Sequence, residues 1–211
     1  MNTVNVLNLY GGVGGNRKFW NNCTVTAIES NEKIAAVYQR LYPNDTVIIG
    51  DAHEYLRVHY AEFDFIWSSP PCQTHSRMVK ATRHKNRKFP NMELYEEIIF
   101  LDHFFKGDWV VENVSPFYIP LIEPTNKVGR HIFWSSFDFK ADDVKRPANF
   151  INMANLAGKA ALMEWLGIYY EENIYYQGNH CPAQVLRNCV HPKVGKQIFD
   201  AAVISMSDSN K

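Results

Sequence analysis

Two adjacent prolines, Pro70 and Pro71, limit what this chain can fold into more than any other feature. Neither can donate to a sheet ladder, so together they stop the short apolar run at 63–67 that leads into them. A run of that length, bounded by turn chemistry, reads as a buried strand. Cys72 follows at once, on a stiffened turn at the strand's end. A thiol presented there is well placed to be a nucleophile. The competing reading is a loop that happens to hold a buried cysteine, since free cysteines are often buried.

The segments on either side give that strand its neighbours. Residues 3–10 form a strand-like run that ends in Tyr10-Gly11-Gly12-Val13-Gly14-Gly15-Asn16. Four glycines directly after a first strand permit a tight turn and let backbone approach a ligand closely. Their spacing is not the GxGxxG of dinucleotide binding, which weakens a plain NAD reading. Residues 24–28 read as a second strand closed by Glu29, where a doubly wound fold places an acid on ribose hydroxyls. Ile34, Val37, Tyr38 and Leu41 recur at helical spacing, so 31–41 is an amphipathic helix with Asn31 as N-cap and Pro43 as stop. A third strand at 47–49 leads to Gly50-Asp51. Asp51 could face a nucleobase amino group at the sheet edge, or cap the helix that begins near His53.

Beyond Cys72 lies a basic stretch, with Arg77, Lys80, Arg83, Lys85, Arg87 and Lys88 and no acid between the first and last. A charge run is usually a solvated face, but beside a nucleophile it is suited to gripping phosphates. Leu94, Ile98, Leu101 and Phe105 mark one face of a helix at 92–105. A buried strand, Trp109-Val110-Val111, then ends in Glu112-Asn113-Val114. Ligands of open parallel sheets sit at the carboxyl ends of the strands. If this strand neighbours the one before Cys72, thiol and carboxylate converge, and Glu112 is a good general acid.

The remainder is less regular. A Pro- and aromatic-rich loop at 116–124 precedes a strand beginning at Arg130-His131-Ile132. Residues 138–151 look irregular, 156–166 read as a short helix and 169–176 as an aromatic, β-like stretch. Pro192 opens a last helix to about Ser205, followed by a polar, frayed tail.

Length and composition fit one soluble catalytic domain over 1–211. Lys plus Arg and Asp plus Glu both number 22, so any nucleic-acid-binding surface has to be local. No signal pattern and no membrane-spanning run is present, and a cytoplasmic location in a prokaryotic or phage-infected cell is the default expectation. Cys23, Cys72, Cys181 and Cys189 form no CxxC pair and no disulfide framework. His180, Cys181, Cys189 and His191 suggest zinc at first sight, but adjacent ligands at 180–181 rarely suit one tetrahedral site, and no metal is expected.

With these pieces in order, the chain resembles the DNA cytosine-5 methyltransferases over about residues 4–139 and 184–200. Leu9 to Gly15 looks like the family's glycine motif, with Tyr10 where Phe is usual. Pro70-Pro71-Cys72-Gln73 matches the catalytic motif, and Glu112-Asn113-Val114 the motif of the second catalytic residue. Arg187-Asn188-Cys189-Val190 resembles the late motif that closes the cofactor pocket. The resemblance implies an α/β, Rossmann-like class I fold with a mostly parallel doubly wound sheet, S-adenosylmethionine as cofactor and duplex DNA as substrate. By resemblance, Cys72 is the nucleophile, Glu112 the proton donor and Arg130 the group steadying a flipped base. Tyr10, Gly11, Gly12, Val13, Gly14, Gly15, Glu29, Asp51, Ala52, Pro70, Asn188 and Val190 would meet the cofactor. Gln73, Ser76, Arg77, Lys80, Arg83, Lys85, Arg87, Lys88 and His131 would meet DNA.

Three departures stand out. Gly129-Arg130-His131 replaces the family's Arg-x-Arg, and His75 replaces a common Phe. Residues 140–184 form only a reduced insert where a target-recognition domain normally lies. Major-groove readout needs presented side chains, so specificity is expected to be short, or supplied by a specificity subunit or homodimer. The alternatives are an RNA cytosine methyltransferase with the same chemistry and a non-catalytic, methyltransferase-like regulatory subunit. An exocyclic-amino methyltransferase needs no nucleophile, so Cys72 with Glu112 argues against it.

Overall fold

The computed structural model describes residues 3–77, 89–148, 150, 155–176 and 181–209. Among these, β1 (Val4–Leu9), β2 (Cys23–Glu29), β3 (Thr46–Ile49), β4 (Phe65–Ser68), β5 (Asp108–Val114), β6 (Asn126–Val128) and β7 (His131–Ser135) form a single sheet in the order β3-β2-β1-β4-β5-β7-β6. The first five of that order are parallel, and β7 turns back antiparallel to both β5 and β6. This is the expected Rossmann-like α/β architecture, with the order reversing at β1 and β4, where such sheets open a ligand crevice.

Alternation along the strands feeds two cores. Leu7, Leu9, Ile66 and Val111 face α2 (Ala52–His59) and α3 (Glu93–Phe104). Val6, Phe65, Trp67 and Val110 face α6 (Pro192–Ser209). All four β4 residues are buried, as the central strand of a covered sheet must be. Each fully buried side chain of this size contributes about 1.5–3 kcal/mol. A third cluster joins Val13, Ile34 and Val37 of α1 (Glu32–Leu41) to α4 (Leu156–Leu166) and α5 (Gln184–Arg187). The 140–184 stretch thus packs in part against the helix beside the glycine turn.

Local chemistry explains the boundaries. Asn31 caps α1 by accepting from the Lys33 and Ile34 amides, as its sequence position predicts. Asn155 caps α4 in the same way, and Gly167 ends that helix at φ 63°. Four expectations need correction. Residues 169–176 form no strand, because Tyr170 and Ile174 are buried against α4 and α5 rather than paired. The last helix continues through Ser209, so the polar stretch is helical rather than frayed up to that residue. Glu112 lies inside β5, which β7 extends by antiparallel pairing past the end of β4. The hairpin strand β6 is additional.

Candidate active site

Strand register assembles the site. Leu9 pairs with both Ile28 and Ser68, and Ser68 pairs with Val111. The next residue along each strand is therefore Tyr10, Glu29, Ser69 and Glu112, and all four line one cavity of about 420 Å³. Cys72, Gln73 and Arg130 line the same cavity.

The glycine turn forms one part of the wall. Tyr10, Gly12 and Gly14 have φ of 55°, 56° and 72°, the left-handed region that favours glycine. A Cβ on Gly12 would meet no atom closer than 4.0 Å, so its absence leaves a cradle on the cavity side. A Cβ on Gly15 would lie 2.6 Å from Cys189 Cβ and 2.7 Å from the Val190 carbonyl, so only glycine lets that late segment cross. Glu29 accepts from the amides of Gly12 at 3.0 Å and Asn31 at 2.9 Å. Burial raises its pKa, while these backbone bonds oppose the rise. An acid and a glycine turn in one cavity fit a nucleoside cofactor, each Glu29 oxygen keeping a second lone pair beyond its amide bond for a ribose diol.

The expected cofactor residues divide. Tyr10, Gly11, Gly12, Gly15, Glu29, Pro70, Asn188 and Val190 line the cavity. Val13 instead points into the third core cluster, and a Cβ on Gly14 would strike the Tyr42 ring. Asp51 is exposed and caps α2 through the Glu54 amide, the second of its two expected roles. Ala52 is buried in the core below α2. Neither is among the residues lining the cavity.

The Cys72 turn is fixed by its own backbone and by β5. The His75 and Ser76 amides both donate to the Cys72 carbonyl, at 3.1 and 2.9 Å. Asn113 donates its side-chain amide to the Pro70 carbonyl at 3.0 Å. The Trp67 indole donates to the Ser69 hydroxyl at 2.9 Å, and that hydroxyl hydrogen-bonds Glu112. Burial pushes the Glu112 carboxyl up to about 7, against the opposing pull of Arg130 and Ser69. Burial and the nearby Glu112 charge push the Cys72 thiol up to about 11, and Arg130 pulls it down. In this pairing Glu112 is a proton carrier near neutral pH, and the thiol needs help to ionise.

Arg130 spans the gap between these groups and the late segment. Its guanidinium donates to the Arg187 carbonyl and lies 5.3 Å from the Phe150 ring centroid. His131 corrects an expectation: it is buried, with Nδ1 3.9 Å from Glu112 Oε1, and lines a separate small cavity with Arg146. Burial holds it well below the usual histidine range, so it is neutral and has no surface to offer DNA. Arg130 belongs to the Gly129-Arg130 turn and lines the cavity, whereas His131 is the first residue of β7 and is buried.

Of the expected DNA residues, Gln73 is exposed at the cavity, and Ser76 bridges to Pro116. Exposed Arg77 reaches the Pro116 carbonyl at 3.5 Å. Lys80, Arg83, Lys85, Arg87 and Lys88 lie outside the described residues, as does His180. His75 is buried and shares a 2.6 Å hydrogen bond with the Tyr118 hydroxyl, so the family's aromatic position is filled by a polar contact. Among the described residues no three His, Cys, Asp or Glu side chains are grouped to hold a metal. No described helix is long and apolar enough to cross a membrane.

Sequence reasoning missed Ser69 and Tyr176 at the cavity, and Glu97 beneath it. Glu97 had a signal: it lies three residues after Leu94 and four before Leu101, on the buried stripe of α3.

Comparison with known proteins identifies a family and a fold. The family model described as "C-5 cytosine-specific DNA methylase" matches residues 4–117, which carry the glycine turn, Cys72 and Glu112. No curated protein matches the chain. Among solved structures, the Entamoeba histolytica methyltransferase EhMeth is 10% identical, with 100% of each chain covered and a TM-score of 0.53. The putative methyltransferase yhhF from Escherichia coli is 15% identical over 64% of this chain and 75% of its own, with a TM-score of 0.43. At such identities the likeness to EhMeth is one of fold. The family match spans more than half of the 211 residues, and the chain belongs to the C-5 cytosine-specific DNA methylase family, whose members are S-adenosylmethionine-dependent DNA methyltransferases.

Proposed function

We propose that this chain transfers a methyl group to carbon 5 of a cytosine flipped out of duplex DNA, through a covalent adduct at Cys72. One observation carries the reading. A single cavity is lined by the glycine turn and Glu29 and also by Cys72, Glu112 and Arg130. A methyl donor and a base can therefore meet without leaving it.

Each group has a defined task. The Cys72 sulfur bonds to cytosine carbon 6 as its proton leaves to solvent, with Arg130 favouring the thiolate. Protonated Glu112 gives its proton to ring nitrogen 3, so the π electrons displaced by sulfur collect at carbon 5 rather than as ring charge. S-Adenosylmethionine supplies an electrophilic methyl when bound. Carbon 5 takes that methyl as the methyl–sulfur bond breaks. Loss of the carbon 5 proton to solvent then breaks the bond to Cys72, and Glu112 recovers the nitrogen 3 proton. A stacked base cannot present carbon 6 to a nucleophile that lines a cavity, so flipping is part of the reading. Tyr10, Gly12 and Glu29 would hold the cofactor, and Asn188 and Val190 would close over it. Residues 140–184 are read as the reduced insert of a single catalytic domain, with a second copy or a specificity subunit completing recognition.

The test is methyl transfer from labelled S-adenosylmethionine to mixed-sequence duplex DNA, with wild type and Cys72→Ala compared and the product read base by base. Label on cytosine carbon 5 with wild type only is the expected result. Label on an exocyclic nitrogen, or equal label with Cys72→Ala, would overturn the reading.

A further inference from the structure

A buried, multiply bonded carboxylate lies outside the residues that line the cavity. Glu97 on α3 is fully buried, an expensive place for a carboxylate unless its lone pairs are satisfied. Three elements satisfy them. The Tyr10 hydroxyl donates to Oε1 at 2.6 Å, at the end of β1. The Ser68 hydroxyl donates to Oε2 at 2.5 Å, at the end of β4. His53 of α2 places Nδ1 3.1 Å from Oε1, and its Nε2 lies 3.6 Å from Glu96 Oε2. That contact with Glu97 raises the His53 pKa, and burial keeps the Tyr10 phenol protonated as a donor.

Two of these partners begin the two halves of the site. Tyr10 opens the glycine turn and has a φ of 55°, a conformation that a tyrosine adopts only when something holds it. Ser68 is followed by Ser69, which bonds Glu112, and by the turn to Cys72. One carboxylate thus has an oxygen on each half.

We infer that Glu97 is a positioning residue that sets the cofactor turn and the Cys72–Glu112 pair in register with each other, by holding the Tyr10 and Ser68 hydroxyls on its two oxygens. The inference rests on the proposed methyl transfer and adds to it a residue that touches neither cofactor nor base. It separates the two hydroxyls by consequence. Tyr10 transmits to the cofactor turn and Ser68 to the nucleophile.

Steady-state kinetics on the full chain, with melting temperature and direct calorimetric binding of S-adenosylmethionine, test it. Tyr10→Phe should raise the KM and Kd for the cofactor about tenfold with kcat within about twofold, since a hydrogen bond to a charged group is lost there. Ser68→Ala should lower kcat about tenfold and leave cofactor Kd in place. Glu97→Gln should do both. A merely structural role predicts the opposite pattern, in which all three variants lose melting temperature while KM and kcat per folded molecule stay at wild-type values, and that result would overturn the inference. The two hydroxyl variants keep the test sharp should Glu97→Gln not fold. Wild type that bound no cofactor would instead overturn the methyl-transfer reading, and the positioning role with it.

Discussion

The Asn113 side-chain amide donates to the Pro70 carbonyl across 3.0 Å, so the strand carrying Glu112 holds the loop carrying Cys72. The bond is buried, and the Asn113 carbonyl oxygen accepts in turn from the Val114 amide at 2.9 Å. Nucleophile and acid come from segments forty residues apart in sequence (Cys72 and Glu112), and this side chain joins them beside the Ser69–Glu112 bond.

Asn113→Ala leaves the Pro70 carbonyl buried without its donor, a cost of about 1–3 kcal/mol. The turn would also lose its anchor to β5. The expected outcome is a fall in kcat of about tenfold to a hundredfold with cofactor affinity nearly unchanged, since the glycine turn does not depend on this bond. Single-turnover kinetics beside calorimetric binding would check the split. A parallel loss of cofactor binding would count against it.

Glu112 gives the protein a pH signature. Its folded-state pKa, near 7, is raised above the ordinary carboxylate value by burial. The folded protein therefore holds a proton that the unfolded chain has lost, and stability falls as pH rises from about 4.5 to about 7. The full effect is at most about 3 kcal/mol. Activity shares the limb, because the donor must be protonated: kcat/KM should decline above pH 7. Glu112→Gln should remove this part of the stability profile. Urea unfolding at pH 5 and 8 on both proteins measures it, and equal pH dependence in the variant would count against the assignment.

Gly15→Ala tests how the late segment closes the site. The added Cβ would meet Cys189 Cβ and the Val190 carbonyl well inside contact distance. Overpacking of this kind costs about 1–3 kcal/mol. A melting temperature lower by about 5 °C and weaker cofactor binding are expected, because Val190 and Gly15 share the cavity wall. An unchanged melting temperature would show that the crossing is looser than described.

Local signals made much of this structure readable. The Asn31 cap, the buried face of α3 and the strand stopped before Pro70-Pro71 are each decided within a few residues. The meeting of Cys72 and Glu112 at one cavity was legible too, since each follows an apolar run of the expected parallel sheet. What failed depends on tertiary context. Three residues of β6 are too few to show alternation, and α5 is a single turn. Asp51 offered a cap or a ligand with equal plausibility until α2 was placed. Arg130 and His131 are both cationic-type neighbours, and only the folded turn, with Arg130 outside β7 and His131 opening it, shows which one reaches the cavity. Glu97 looked like one of four acids on α3, yet Glu93, Glu96 and Asp102 are exposed while it is buried.

The central claim is that Cys72 bonds to the target base, and fluorine at cytosine carbon 5 tests it most directly. Fluorine cannot leave as a cation, so an adduct methylated at that carbon cannot collapse. The protein would be incubated with S-adenosylmethionine and duplex DNA carrying 5-fluorocytosine, then denatured, digested and read by mass spectrometry. The account predicts a covalent protein–DNA complex whose attached nucleotide maps to the peptide containing Cys72, and none with Cys72→Ala. Attachment at another residue, or no complex while ordinary cytosine is still methylated, would contradict it.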